Sequence, residues 1–187
     1  AKHYMVLAGR VSMEKGLYKK AESYFLDCID TFYPDEDEST AGDGYLLDVL
    51  FEISQLYLRF RAFVWPPHDK VPPNDHPGLS KYAKEILNRG LDEVERLKME
   101  EDQDSDSLMA KEARLRYQLA WAKMLNKEDM QNHPEEVENE FKKAIELQKE
   151  CGLELMAAES LNGLGEYYCT IKQMMNAREA HDEAIRI

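Results

Sequence analysis

The chain has 187 residues, and its 37 acidic side chains outnumber 24 basic ones, giving a formal net charge of −13. An apolar fraction of 43% beside 33% charged residues fits a globular chain with a buried core and excludes a disordered one. No apolar run approaches the ~18 residues of a membrane span, and the excess of carboxylates repels phosphate backbones and anionic headgroups, so neither nucleic acid nor a membrane surface is expected as a partner.

Helical periodicity runs through nearly every long segment and strand-like alternation through none. It predicts helices over 3–15, 17–32, 44–63, 79–99, 107–126, 134–151, 155–171 and 174–187. Gly16 separates the first two, and Pro34 with Asp35, Glu36, Asp37 and Glu38 ends the second. Helix 44–63 is apolar on almost every side, from Leu46 and Leu47 to Phe60 and Phe63, which marks an interior element. Trp65-Pro66-Pro67 stops it. Pro134 stands at a helix N1 position and Gly152 at a C′ position. The helices pair into hairpins over roughly 3–32, 44–99, 107–151 and 155–187, one domain spanning 1–187 that reads as a piece of a longer chain.

One pattern recurs in the second helix of each pair. A small or short residue is followed four positions later by a large one and three after that by another small one: Ala21/Phe25/Cys28, Ala83/Leu87/Gly90, Val137/Phe141/Ala144 and Ala177/His181/Ala184. Positions i, i+4 and i+7 share a helical face, so each triplet is a knob between two shallow sites, where a neighbouring helix can approach closely. The partner helix offers a small residue twelve positions before the first and last triplets, at Gly9 and Gly165. The two middle first helices, 44–63 and 107–126, lack a clear residue of this kind. His181 is expected in the core.

These residues resemble the tetratricopeptide repeat, most clearly in Leu161-Asn162-Gly163-Leu164-Gly165-Glu166-Tyr167-Tyr168 with Ala177 and Ala184, and in Gly9, Gly16, Tyr18, Ala21 and Phe25. The phrase from Ala144-Ile145-Glu146-Leu147 through Gly152 to Leu161-Asn162 is similar to the long-repeat arrays of kinesin light chain and LGN-like adaptors. The resemblance implies an all-α, right-handed α-solenoid of about four hairpins whose first helices line a concave groove. It places His3, Val6, Arg10, Met13 and Glu14 on that groove in the first unit, and Glu159, Asn162, Glu166, Cys169 and Thr170 in the last. The implied function is non-catalytic: a scaffold or adaptor that holds a peptide or helix of another protein. Chaperone-tail-binding members use a Lys and Arg clamp, and the last unit presents Glu159 and Glu166 instead, which would repel an acidic tail.

Two other readings stay open. Asp35, Glu36, Asp37, Glu38, Glu100, Glu101 and Asp102 fall in connections between hairpins and would suit a Lys/Arg-rich tail, the behaviour of an acidic chaperone-like binder. As plain solvated loops they would serve solubility and helix capping. Alternatively the repeats form a regulatory or sensor module of a larger protein. The loop His68-Asp69-Lys70-Val71-Pro72-Pro73-Asn74-Asp75-His76 carries four potential ligands without a zinc template, so no metal is expected, nor any other cofactor. Trp65 and Trp121 are expected to be packing residues rather than hot spots, although a tryptophan facing the groove would be an anchor. There is no nucleophile elbow, phosphate loop or HExxH, so no catalytic residue is nominated. Cys28, Cys151 and Cys169, odd in number and far apart, read as reduced core thiols of a cytoplasmic or nuclear protein.

Overall fold

The computed structural model describes residues 2–32, 44–59, 78–100 and 104–187. Among them the chain is all-α, with nine helices and no strand. They are α1 (Lys2–Glu14), α2 (Tyr18–Asp30), α3 (Gly44–Arg59), α4 (Gly78–Leu97), α5 (Ser105–Met124), α6 (Lys127–Asn132), α7 (Pro134–Glu150), α8 (Glu154–Thr170) and α9 (Met174–Arg186). The packing divides into two compact units, Ala1–Glu100 and Glu101–Ile187. Phe60, Phe63, Trp65, the loop 68–76, the run Asp35, Glu36, Asp37 and Glu38, and Glu101 and Asp102 lie outside the described residues.

In the first unit α1 pairs with α2, α3 pairs with α4, and α2 lies against α3. In the second, α5 pairs with α7, α8 pairs with α9, and α7 lies against α8. One turn design serves three of the connections. Gly16, Gly152 and Lys172 adopt the left-handed conformation, and the amide after each donates to a carbonyl five residues back: Leu17 to Ser12, Leu153 to Gln148 and Gln173 to Tyr168, all at 2.8 Å. This is the Schellman closure that frees the chain to reverse, and glycine takes it without a Cβ clash.

The triplets lie where their spacing puts them. All members of the first three are buried, and so is Ala177. A Cβ at Gly9 would overlap the Phe25 ring, and one at Gly165 would overlap the His181 imidazole, so each glycine is the hole for the knob of its own hairpin. His181 itself is half-buried, as is Ala184, contrary to the expected core placement of that histidine. The reason is that α9 packs extensively on α8 alone among the described helices. The apolar faces expected of helix 44–63 are present over its described part: Leu46, Leu47, Val49, Leu50, Phe51, Ile53, Leu56 and Tyr57 are all buried.

Two seams between hairpins share one contact. Tyr57 on α3 donates its hydroxyl to Glu22 on α2, and Tyr168 on α8 donates to Glu138 on α7, both at 2.8 Å. Glu22 and Glu138 each follow the first member of a triplet. Tyr168 comes three residues after Gly165 and Tyr57 three after Ser54, so the common register places the fully buried Ser54 at the small-residue position that α3 was expected to lack. Gln148 adds to the second seam, its amide nitrogen oriented to donate to Ser160 Oγ at 2.7 Å.

Helix α6 is absent from the sequence prediction, which runs one helix to residue 126. The structure ends α5 at Met124, and Asn126 then caps a new helix by accepting from the Glu128 amide at 2.9 Å, with Glu128 and Asp129 in its first turn. An asparagine followed by two carboxylates is a helix-start signal. Beyond it, α5 and α7 run antiparallel, held by a chain of charges. Glu112 (4% exposed) accepts from Arg116 at 2.7 Å, Arg116 reaches Glu140 at 2.9 Å, and Lys123 (9% exposed) joins Glu140 at 3.5 Å and Glu136 at 2.9 Å. Burial works against the Arg116 charge, but the hydrogen bonds it donates to Glu112 and Glu140 and the attraction of those carboxylates outweigh it and hold the guanidinium in its charged form.

Candidate functional site

Sequence reasoning places candidate residues on one face of α8 and one face of α1, and the structure treats these two faces differently. On α8, Glu159, Asn162, Glu166, Cys169 and Thr170 are all exposed. With about 100° per residue they fall within one arc of roughly 100°. That arc lies between the Gly163 side, which faces α5 and α7, and the Gly165 side, which faces α9. Asn162 Oδ1 lies 3.1 Å from His181 Nδ1, and Thr170 donates to the Glu166 carbonyl at 2.9 Å. The carboxylates of Glu159 and Glu166 have no ion-pair or hydrogen-bond partner among the described residues.

On α1 the equivalent positions are engaged by the chain itself. Val6 is 2% exposed, so its methyl groups belong to the core and are withdrawn from the predicted groove. It is a branched apolar side chain in the register that Asn162 occupies on α8, and burial is its favoured environment. His3 packs edge-on against Tyr45 of α3 with ring centroids 4.3 Å apart, and Arg10 is bound to Glu52 of α3 at 2.7 Å. Met13 is half-buried, and Glu14 is exposed. His3 and Arg10 stay exposed all the same, so this face differs from that of α8 in the burial of Val6 and in these two contacts to α3.

The cysteines also separate. Cys28 is buried as expected, Cys151 is half-buried, and Cys169 is exposed on the α8 arc rather than in a core. Burial, followed by the Asp106 and Glu150 carboxylates, pushes the Cys151 thiol up, away from the thiolate a nucleophile needs. Of the acidic residues assigned to a basic partner, Glu100 is described, and it is ion-paired to Arg96. Among the described residues no group of three or more ligand-type side chains could hold a metal, and no helix is long and apolar enough to cross a membrane.

Sequence reasoning missed a neighbouring strip. Tyr117, Trp121 and Met124 on α5 are spaced i, i+4 and i+7, and all three are part-buried, packed on the core while retaining accessible surface. Trp121 meets Tyr117 and Phe141 edge-on, with centroids 6.5 and 6.0 Å apart. Its Nε1 lies 3.4 Å from where a Cβ on Gly163 would stand. Gly163 itself makes room for the Phe141 ring, and the Trp121 indole comes into ordinary contact distance of the same point on α8, one turn from Glu159 and one from Glu166. The packing role expected for Trp121 is present. The spacing of the three side chains was the available signal, but the α5–α8 approach that gives it meaning is tertiary.

No protein-family model matches the chain, and no curated protein does. The site must therefore be read from its chemistry: an exposed line of two carboxylates, an amide, a thiol and a hydroxyl, bordered by half-exposed aromatic surface.

Proposed function

We propose that this chain is a tetratricopeptide-like, right-handed α-solenoid scaffold that holds a peptide or helix of a partner protein along the inner face of its first helices. The knob-and-glycine pairs Gly9/Phe25 and Gly165/His181 and the repeated Tyr–Glu seams support the repeat reading. The observation that carries the function is the α8 arc, where five exposed side chains line up beside Trp121 and one of them, Asn162, has a partner on another described helix, His181 of α9. A surface with aromatic anchors inside and polar groups at the rim is the usual make-up of a protein-recognition site. No chemistry beyond binding is assigned to it.

The test is selection from a displayed random-peptide library with the full chain, compared with Glu166→Arg, whose long side chain would cover the arc. The wild-type chain should enrich a set of related peptides, and the variant should lose it. An enriched set unchanged by Glu166→Arg would remove α8 from the binding face.

A further inference from the structure

We infer that the α5–α8 face of the second unit docks a basic segment of a partner protein, one that places Lys or Arg next to apolar side chains. This rests on the reading of that face as a groove, and it names the occupant. Two carboxylates alone would be an ordinary solvated helix face. What distinguishes Glu159 and Glu166 is their position four residues before and three residues after Gly163, the residue against which the Trp121 indole lies. Both carboxylates are turned by roughly 40–60° to the same side of Gly163, so they border the strip of Tyr117, Trp121 and Met124 on its open edge.

Several other carboxylates in this unit are already paired. Glu112, Glu136 and Glu140 are tied to Arg116 and Lys123, Glu138 to Lys142, and Glu183 to Lys149. Glu159 and Glu166 are not paired in this way, and neither are Glu146 and Glu154, so it is the place beside Trp121 that sets the first two apart. Arg114, one turn before Tyr117, bounds the strip at its far end and has an interaction of its own.

A lysine or arginine is the side chain that satisfies both halves of this surface. Its methylene stem lies on apolar and aromatic surface while its charged head reaches carboxylates or an aromatic ring face. A phosphate-bearing or acidic partner would meet two uncompensated carboxylates. An uncharged apolar peptide would leave both without a partner.

The probe is a fluorescein-labelled peptide of repeated Lys-Leu-Ala, titrated into the full chain and followed by fluorescence anisotropy, with a Glu-Leu-Ala peptide as counterpart. The Lys peptide should bind at low salt and the Glu peptide should not. Glu159→Gln with Glu166→Gln should weaken binding about tenfold or more, and raising the salt about tenfold should weaken the wild-type chain more than this variant. Trp121→Leu, checked for unchanged helicity by circular dichroism, should also weaken binding. Removing the same charge elsewhere, with Glu146→Gln and Glu154→Gln, should leave binding unchanged; equal weakening would reduce the attraction to net charge and overturn the assignment. Binding of the Glu peptide, or full binding by the Glu159/Glu166 variant, would overturn it as well. If library selection returns uncharged peptides that Glu166→Arg blocks, the groove stands and the basic occupant falls. If it returns none, both fall.

Discussion

At Gly9 and Gly165 the close approach of paired helices depends on the absence of a single carbon. Phe25 is fully buried and has no free direction in which to yield, so Gly9→Ala should cost about 2–3 kcal/mol, the range of an overpacked core. His181 is half-buried and can swing outward, so Gly165→Ala should cost less, about 1 kcal/mol. Urea unfolding of the two variants measures the difference, and equal losses would contradict it. The spacing of these glycines was legible in the sequence because small residues repeat in register with the knobs. The burial of Val6 was legible only as its apolarity, which a groove position tolerates equally well.

The two Tyr–Glu seams look alike but titrate differently. Burial pushes the Glu22 carboxyl up despite the Tyr57 hydrogen bond and the nearby Lys19. For Glu138, burial again opposes the charge, but hydrogen bonds from Lys142 and Tyr168 prevail and hold it below the usual carboxylate range. A depressed carboxyl stabilises the fold above its unfolded pKa, and that contribution is lost as the pH falls through the folded value; a raised carboxyl costs stability at neutral pH, and acid relieves the cost. At pH 7, therefore, Glu138→Gln should destabilise by about 0.5–1 kcal/mol while Glu22→Gln is neutral or stabilising. As the pH is lowered from 7 toward 3 the Glu138→Gln loss should shrink. Thermal unfolding at both pH values checks the signs, and a Glu138→Gln loss independent of pH would refute the account.

Among the elements, the α5–α7 pair departs furthest from a plain hairpin, because α6 sits in its connection. Its charge chain pins the register that a longer connection leaves loose. Glu140 is the link between Arg116 and Lys123, so Glu140→Gln leaves two part-buried cations short of a partner. The expected loss is about 2–3 kcal/mol by urea unfolding, below the figure for a fully buried pair because both cations keep some contact with water. A loss under about 0.5 kcal/mol would mean that packing alone sets the register. The pair Glu112 and Arg116 could be read from its i,i+4 spacing. That Glu140 and Lys123 complete it depends on how the chain returns after α6, which local rules do not encode.

For the molecule as a whole, the packing separates Ala1–Glu100 from Glu101–Ile187. The second unit has its own buried cluster, with Phe141, Leu161, Leu164 and Tyr167 at its heart. A core of this kind allows a unit to fold alone. Residues 104–187 expressed separately should show a helical spectrum and one cooperative thermal transition; a spectrum without helix would mean that the unit depends on the rest of the chain.

The sequence by itself determined the all-α class, the positions of every described helix but α6 to within a few residues, the turns at Gly16 and Gly152, and the phased knobs and holes. These follow from local rules: side chains that recur on a helical face must be buried together, and a chain reverses where a left-handed residue allows it. Tertiary structure alone decided which faces stay open. On α1, Val6 is buried and His3 and Arg10 have partners on α3, whereas on α8 every residue of the arc is exposed, with Trp121 beside it. The physical reason is that exposure depends on what packs nearby, and a residue's neighbours across helices are set by packing rather than by spacing along the chain.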